Sequence, residues 1–334
     1  MTKSIIQGLG YYLPKNVVTN NDLAQMFDTN DQWITERTGI KERRWIEPGT
    51  DTTSTMGIKA AKMAMENANI EANDIDFIIF ATLSPDYYFP GPGVQVQEAL
   101  GMDTIGALDV RNQCSGFVYA LSVADQYIKS GMYKNILVIG SEHHSAGLEK
   151  TDRGRGVTVI FGDGAGAAVV SATEEEGRGM LSTHLHSQGK HAKELALISP
   201  SIQHWVDKIL EENNPEDTRY WPHMNGNFVF KHAVTRFPQV IMEALNQNNL
   251  QPSDLKILIP HQANLRIAQF VQKTMKLNDS QVYNNIQKYG NTTAASIPIA
   301  LAEAHEKGMI EKGDLVCLAA FGSGFTWASA LMRW

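Results

Sequence analysis

The chain has 334 residues, of which 43% are hydrophobic, and a formal net charge of −7 at pH 7. This length suits two domains of ordinary size or one large domain. The negative charge argues against a nucleic-acid binder, whose phosphate contacts need a basic surface. Two cysteines without framework spacing argue against a disulfide scaffold, and no stretch is long and apolar enough to span a bilayer. We therefore expect a soluble cytoplasmic protein with no membrane or nucleic-acid partner.

Residues 19–38 contain two short helical patterns, each opened by residues that cap helices well. On the second pattern, Trp33 and Arg37 are four residues apart and share a face. An aromatic plane beside a guanidinium is able to hold a nucleotide base and a phosphate, although such a pair is more often surface packing. Further along, the pattern predicts an Ala- and Met-rich helix over 55–69 and a buried strand over 76–81.

Residues 109–131 place Cys114 at the start of a helix. Apolar residues follow it at the spacing of a buried helix, which Gly131 is expected to end. A thiol in the first turn faces unpaired backbone N–H groups and the positive end of the helix dipole, which favour the thiolate. An isolated cysteine is more often a core residue, and Cys317, inside a continuous apolar run, is interpreted that way. Polar and small residues flank Cys114 instead, so we predict a nucleophile.

Two neighbouring histidines, His143 and His144, follow a strand expected over 135–141. No carboxylate or cysteine completes a ligand set at a recognisable spacing, so no metal site is expected. Residues 157–172 carry glycines at GxGxG spacing, but no helix pattern follows them. We interpret this run as a β-hairpin rather than a dinucleotide loop.

The two halves of the chain repeat a common pattern. Residues 73–81 match 253–261, since each has a cap-like polar residue, an aspartate and then a buried strand. A glycine ends a long helix 17 residues after Cys114, and another does so 17 residues after Asn291. We therefore expect Asn291 to occupy in the second half the place of Cys114 in the first. His261 directly follows the second repeated strand.

A charged, unpatterned segment, residues 173–179, separates these halves, and a long irregular stretch covers 190–223. We predict two units, 1–172 and 173–334, in an α/β fold. Two similar βα-rich halves imply two stacked sheets with helices between and outside them. Loops at the carboxyl ends of the strands then converge on one site.

Four segments occur in the order DVRNQCSGF, PHQANLRI, KYGNTTAAS and AFGSGFTWASAL. They resemble the Cys, His, Asn and closing glycine motifs of the β-ketoacyl-ACP synthase III family, thiolase-fold condensing enzymes that start fatty-acid synthesis. The resemblance covers nearly the whole chain and implies a layered α-β-α-β-α fold. It also implies an acyltransferase reaction: a decarboxylating Claisen condensation of an acyl group from acyl-CoA with malonyl-ACP, giving 3-oxoacyl-ACP, CO2 and CoA.

The resemblance assigns roles to individual residues. Cys114 is the nucleophile, and His261 and Asn291 donate hydrogen bonds to the malonyl thioester oxygen, with Asn291 orienting the histidine. The backbone N–H groups of Cys114 and Gly324 form the oxyanion hole for acyl transfer. The positions that match CoA-binding residues are Trp33, Arg37, Arg153, Met224, Asn227, Phe230, Ala263 and Asn264.

Other implied features concern partners and the acyl pocket. No cofactor beyond the two substrates is implied. A homodimer is implied, in which Phe89 reaches across to close the partner's acyl pocket, while His144 replaces an apolar pocket residue. Lys231, Arg266 and Lys273 are positioned to bind the acidic carrier protein. Without the family, these three residues would be interpreted as a solvated face.

The sequence also departs from the family pattern. Residues 111–113, Arg-Asn-Gln, stand where members that use acetyl-CoA usually have small residues, and 190–223 is longer than the family's loop. We therefore expect a medium-length or otherwise unusual acyl primer. One alternative is a specialised condensing enzyme or acyltransferase of secondary metabolism. Another is a non-catalytic partner that binds CoA or carrier protein, which the intact Cys-His-Asn set disfavours.

Overall fold

The structure is a computed structural model that describes residues 2–202, 214 and 216–334. The middle of the irregular 190–223 stretch lies outside the described residues. The strands are β1 (Lys3–Tyr12), β2 (Val17–Thr19), β3 (Glu42–Arg44), β4 (Phe77–Ala81), β5 (Gly106–Val110), β6 (Asn135–Glu142), β7 (Gly164–Thr173), β8 (Gly179–Ser187), β9 (Leu195–Ala196), β10 (His223–Met224), β11 (Ile257–Pro260), β12 (Leu315–Gly322) and β13 (Thr326–Arg333). The α-helices are α1 (Asn20–Leu23), α2 (Asp31–Thr38), α3 (Thr53–Ala68), α4 (Pro92–Ala99), α5 (Gly116–Lys129), α6 (Arg155–Thr158), α7 (Gly226–Gln247), α8 (Leu265–Met275), α9 (Ile286–Tyr289) and α10 (Ser296–Glu306).

Two sheets form the centre of the fold. Within the described residues, one has five strands in the order β1-β7-β6-β4-β5, and the other has four in the order β11-β12-β13-β8. In the first sheet, β6 pairs in parallel with β4 and antiparallel with β7. In the second, β12 pairs in parallel with β11 and antiparallel with β13. The two halves therefore share one strand arrangement, as the sequence repeat predicts.

Equivalent residues of the two halves are 180 positions apart in the sequence, over the strands and turns that build the site. Phe77 pairs with Ile136 in the first sheet, and Ile257 pairs with Val316 in the second. Short 3₁₀ turns at Gln113–Ser115 and Thr293–Ala295 precede α5 and α10 at the same separation.

This separation makes Ala294 the counterpart of Cys114, so the expected equivalence of Asn291 with Cys114 is wrong by three residues. The two glycines that end these helices are not equivalent positions, because α5 has 14 residues whereas α10 has 11. Counting back from them therefore gives the wrong counterpart of Cys114.

Successive side chains along each strand point to opposite faces of the sheet, and this alternation produces the layers. Odd-numbered residues of β4, such as Ile79, pack with α5 and α10 in a core between the two sheets. Even-numbered residues, such as Ile78, pack against α3 on the outer face of the first sheet. Helices α7 and α8 cover the outer face of the second sheet, where Cys317 is fully buried. The predicted α-β-α-β-α layering is therefore confirmed, and Cys317 is a core residue, as predicted.

Local elements mostly follow the sequence patterns. Asn30 accepts a hydrogen bond from the Trp33 backbone N–H at 2.8 Å and caps α2. The predicted hairpin at 157–172 is wrong in its first strand, because that segment contains α6 and then only an isolated bridge between Phe161 and Asn291. Its apolar residues are buried against α1 and α2, which produces a strand-like pattern without a strand. In the described part of the chain, no helix has the length and apolar character that a membrane span requires.

Candidate active site

Cys114 lies in the 3₁₀ turn directly before α5, and its side chain is only 7% exposed. Gly322, the last residue of β12, packs against it. A Cβ on Gly322 would lie 2.4 Å from the Cys114 Cβ and 2.6 Å from its Sγ, far inside normal contact distance. The thiol is therefore enclosed by a helix start from the first half and a strand end from the second.

The resting form of Cys114 is the thiol. Burial raises its pKa to about 12, the backbone N–H groups of Ser323 and of Cys114 itself lower it by less, and the nearby Glu142 carboxylate raises it further. The sequence predicted that the helix start favours a thiolate. Removal from water outweighs that effect here, so deprotonation has to accompany the reaction itself.

His261 follows β11, and its backbone N–H donates to the Ala319 carbonyl at 2.8 Å. Its ring Nδ1 lies 2.6 Å from the Ser296 hydroxyl. Its Nε2 is buried and has no hydrogen-bond partner among the described residues. Burial lowers the pKa of His261 to about 3, so the ring is neutral at physiological pH. The histidine thus presents one uncommitted nitrogen to the site.

The residue that holds the His261 ring is Ser296, the first residue of α10, rather than Asn291 as the sequence suggested. Asn291 is instead fixed through its own backbone, which donates to the Ile160 carbonyl at 2.8 Å and accepts from Gly162 at 3.1 Å. Its side-chain Oδ1 accepts from the Thr293 backbone N–H at 2.9 Å. Its Nδ2 is therefore the end of the amide left to donate.

A single cavity of about 360 Å³ brings these groups together, with Cys114, His261 and Asn291 in one lining. The same cavity reaches the Trp33–Arg37 pair at the surface. The other predicted CoA contacts in its wall are Met224, Asn227, Phe230, Ala263 and Asn264. The cavity is lined mainly by apolar side chains, with few polar groups at its inner end, as ligand sites usually are.

Arg153 differs from the other predicted CoA contacts. It lines a neighbouring cavity of about 590 Å³, and its guanidinium pairs with Glu149 at 2.6 Å and Glu216 at 2.8 Å. The arginine at the Trp33 ring, besides Arg37 at 4.4 Å, is Arg155, whose Cζ lies 5.3 Å from the ring centroid. Both arginines are followed by glycine, so the sequence alone offers no way to choose between them.

Comparison with known proteins identifies the family. The profile described as 3-oxoacyl-[acyl-carrier-protein] synthase III matches residues 108–189, and its C-terminal counterpart matches residues 245–334. The beta-ketoacyl-[acyl-carrier-protein] synthase III of Rhodospirillum centenum is 45% identical over 99% of both chains. The chain belongs to the β-ketoacyl-[acyl-carrier-protein] synthase III family. The enzyme of the same name from Escherichia coli is 47% identical over 98% of both chains.

A solved synthase III structure supports the same fold. The 3-oxoacyl-[acyl-carrier-protein] synthase III of Aquifex aeolicus has a TM-score of 0.90, with 41% identity over 100% of both chains. As a member of the synthase III family, the chain is a condensing acyltransferase of the thiolase-like fold.

Two residues that the synthase III resemblance placed at the acyl pocket lie elsewhere in the single chain. Phe89 is 78% exposed on a loop beside exposed Tyr87 and Tyr88, away from the cavity of its own chain. His144 is buried, but its ring Nε2 lies 2.7 Å from the Thr293 hydroxyl and it is not part of the cavity lining. His144 therefore does not line this cavity, and its place in an acyl pocket stays a prediction.

The three basic residues predicted to meet a carrier protein are all exposed. Lys231 lies on α7, and Arg266 and Lys273 lie on α8, which packs against it. Arg266 also lines the cavity, and its Cζ lies 5.8 Å from the Phe230 ring centroid. In the described residues these three side chains form no ion pair. Their charge therefore faces solvent beside the cavity.

The described residues contain no cluster of side chains suited to binding a metal ion. No three His, Cys, Asp or Glu side chains within residues 2–202, 214 and 216–334 cluster closely enough to hold an ion. The two histidines that follow β6 diverge, since His144 is buried while His143 is half-buried.

Proposed function

We propose that this chain condenses an acyl group taken from acyl-CoA with malonyl-ACP and so starts fatty-acid synthesis. The observation that carries the proposal is the single cavity with Cys114, His261 and Asn291 at its inner end and Trp33 with Arg37 at its mouth. A CoA thioester needs this layout, because its nucleotide and its reacting carbonyl are separated by the long pantetheine arm.

Acyl transfer comes first. The Cys114 sulfur attacks the thioester carbonyl, the bond to the CoA sulfur breaks, and the thiol proton leaves with CoA as its thiol. Neutral His261 has a free Nε2 in the same cavity, which we assign as the relay for that proton. The backbone N–H groups of Cys114 and of Gly324, in the turn that follows β12, are assigned to the developing oxyanion, and the neighbouring N–H of Ser323 lowers the pKa of the thiol.

Condensation follows on the acyl-enzyme. Nε2–H of His261 and Nδ2 of Asn291 donate to the malonyl thioester oxygen, and loss of CO2 leaves an enolate whose carbon attacks the acyl-Cys114 carbonyl. The Cys114 thiolate departs and takes up from solvent the one proton that the overall condensation consumes. One donor of this kind is worth roughly 3 kcal/mol.

In the first step Nε2 of His261 has to accept a proton, and in the second step Nε2–H has to donate a hydrogen bond. The Ser296 hydroxyl makes this possible, because it is able to accept from a protonated Nδ1 or donate to a bare one.

Several finer features belong to the same proposal. Arg155 stacks the nucleotide with Trp33, while Arg153 lies at the edge of the site. The exposed basic residues on α7 and α8 attract the acidic carrier protein. A homodimer brings the exposed Phe89 to the partner's pocket, the units 1–172 and 173–334 act together, and the enzyme works in the cytoplasm without a cofactor.

The test is a complete reaction with purified components. The enzyme is incubated with malonyl-ACP and acetyl-, hexanoyl- or octanoyl-CoA, and the mass of the carrier protein is followed. We expect 3-oxoacyl-ACP from the wild type and from Cys317→Ala, whose cysteine lies in the core, but none from Cys114→Ala. A preference for acetyl-CoA would contradict the expected longer primer. Acylated enzyme without 3-oxoacyl-ACP would overturn the proposed reaction.

A further inference from the structure

We propose that His144 is a positioning residue for Asn291, acting through the Thr293 hydroxyl, and that it serves the decarboxylation step but not acyl transfer. The inference rests on the proposed function. His144 does not line the cavity, and it is one of the residues by which this chain departs from the family pattern.

The first link is between Asn291 and Thr293. The Thr293 backbone N–H donates to Asn291 Oδ1 at 2.9 Å. Of the two ends of the Asn291 amide, only the oxygen is able to accept from an N–H group. This bond therefore fixes the orientation of the amide, with Oδ1 toward Thr293. Nδ2 is thereby left to donate to a substrate oxygen in the cavity. Without the bond the amide is free to turn, and an oxygen would then face the enolate.

The second link is the backbone of Thr293 itself. Its φ of +50° lies in the left-handed region, which is unfavourable for a β-branched residue. Such a conformation persists only where surrounding contacts impose it. Two contacts hold Thr293 in this conformation: its carbonyl accepts from the Ser296 backbone N–H in the 3₁₀ turn, and its side-chain hydroxyl meets His144. The direction of the Thr293 N–H, and with it the Asn291 amide, therefore depends in part on what holds the Thr293 side chain.

The third link is His144. Its Nε2 lies 2.7 Å from Thr293 Oγ1, and both residues are buried. The His144 backbone N–H donates to Asp163 Oδ1 at 2.7 Å, and its ring centroid lies 4.8 Å from that of Phe161. His144 is thus fixed through its backbone N–H, and its ring is packed against Phe161. Burial lowers the pKa of His144 to about 3, so the bond to Thr293 is made by a neutral ring.

The two half-reactions use different hydrogen-bond donors. Acyl transfer to Cys114 uses the backbone N–H groups at the thiol, whereas decarboxylation uses the Asn291 amide. Loss of the bond from His144 to Thr293 therefore slows the second half-reaction selectively. A general loss of structure would slow both.

The experiment compares both half-reactions in His144→Phe, which keeps a ring against Phe161 but cannot bond to Thr293. Cys114 acylation is followed by intact-protein mass, and CO2 release from malonyl-ACP is followed on pre-acylated enzyme. We expect CO2 release to fall about tenfold to a hundredfold. Acylation should stay within about twofold of wild type. His144→Gln, whose amide reaches the same hydroxyl, should recover part of the rate, and His143→Phe is the matched control.

Two further variants keep the test sharp if His144→Phe folds poorly. Thr293→Val removes the same hydroxyl and should reproduce the selective loss. In an Asn291→Ala background, either change should have no further effect, because the residue it positions is gone.

Equal slowing of both half-reactions, or multiplied losses in the double variants, would overturn the inference. Wild-type CO2 release in both His144→Phe and Thr293→Val would overturn it as well. Absence of CO2 release from the wild type would instead refute the proposed function.

Discussion

Replacing Gly322 by alanine is the most direct structural perturbation of the nucleophile. The added Cβ would lie 2.4 Å from the Cβ of Cys114 and 2.6 Å from its sulfur. Carbon atoms in contact prefer a separation of about 3.5–4.0 Å. The turn that carries Cys114, or the end of β12, therefore has to move by about 1 Å.

This displacement sets the expected magnitude. A misplacement of about 1 Å at a reacting group costs about a hundredfold in rate. The same movement separates Cys114 from the Ser323 N–H, since Ser323 directly follows Gly322. Overpacking of this kind also lowers the free energy of unfolding by about 1–3 kcal/mol.

The assay is the rate of Cys114 acylation, measured by intact-protein mass at a temperature where both proteins are folded. We expect Gly322→Ala to acylate about a hundredfold more slowly than wild type. Gly147→Ala is the matched control, because a Cβ there meets no described atom within 4 Å. Acylation of Gly322→Ala at the wild-type rate would show that close packing of this glycine does not position the thiol.

Three further predictions concern Ser296, Glu142 and the two arginines. Ser296→Ala leaves His261 Nδ1 unpaired and should lower kcat for condensation about tenfold or more, by analogy with other residues that orient a catalytic ring; an unchanged kcat would remove Ser296 from the account. Burial raises the pKa of Glu142 to about 7, above its unfolded value of 4.5, so the free energy of unfolding falls as pH rises between these values. Relative to wild type, Glu142→Gln should therefore gain about 2 kcal/mol in urea unfolding between about pH 5 and about pH 7.5, and a constant difference would contradict this. Arg155→Ala should raise the KM for acyl-CoA several-fold more than Arg153→Ala does, and the opposite order would restore Arg153 as the nucleotide contact.

Much of the site was predictable because its residues follow local rules. Cys114 precedes a helix whose apolar spacing is plain in the sequence, and His261 follows a buried strand that repeats an earlier one. Their convergence follows from the shared architecture of the two halves. The layered fold was predictable for the same reason, since the repeat and the alternation of the strands imply it.

Other features depend on contacts that no local pattern encodes. Ser296 meets a ring 35 residues earlier in the chain, and its position at the start of α10 gives no indication of that partner. The backbone N–H that lowers the pKa of the thiol belongs to Ser323, and only the path of the turn brings it there. The protonation of Cys114 depends on burial, which outweighs the helix start that the sequence reveals.

Whether Cys114 is the nucleophile is decided by the mass of the intact enzyme after incubation with acyl-CoAs from acetyl to dodecanoyl. We expect one acyl adduct on wild type and on Cys317→Ala, and none on Cys114→Ala. Its dominant chain length reports the primer that the pocket accepts. An adduct that persists in Cys114→Ala, or no adduct with any donor, would contradict the assignment of Cys114 as the nucleophile for acyl-CoA.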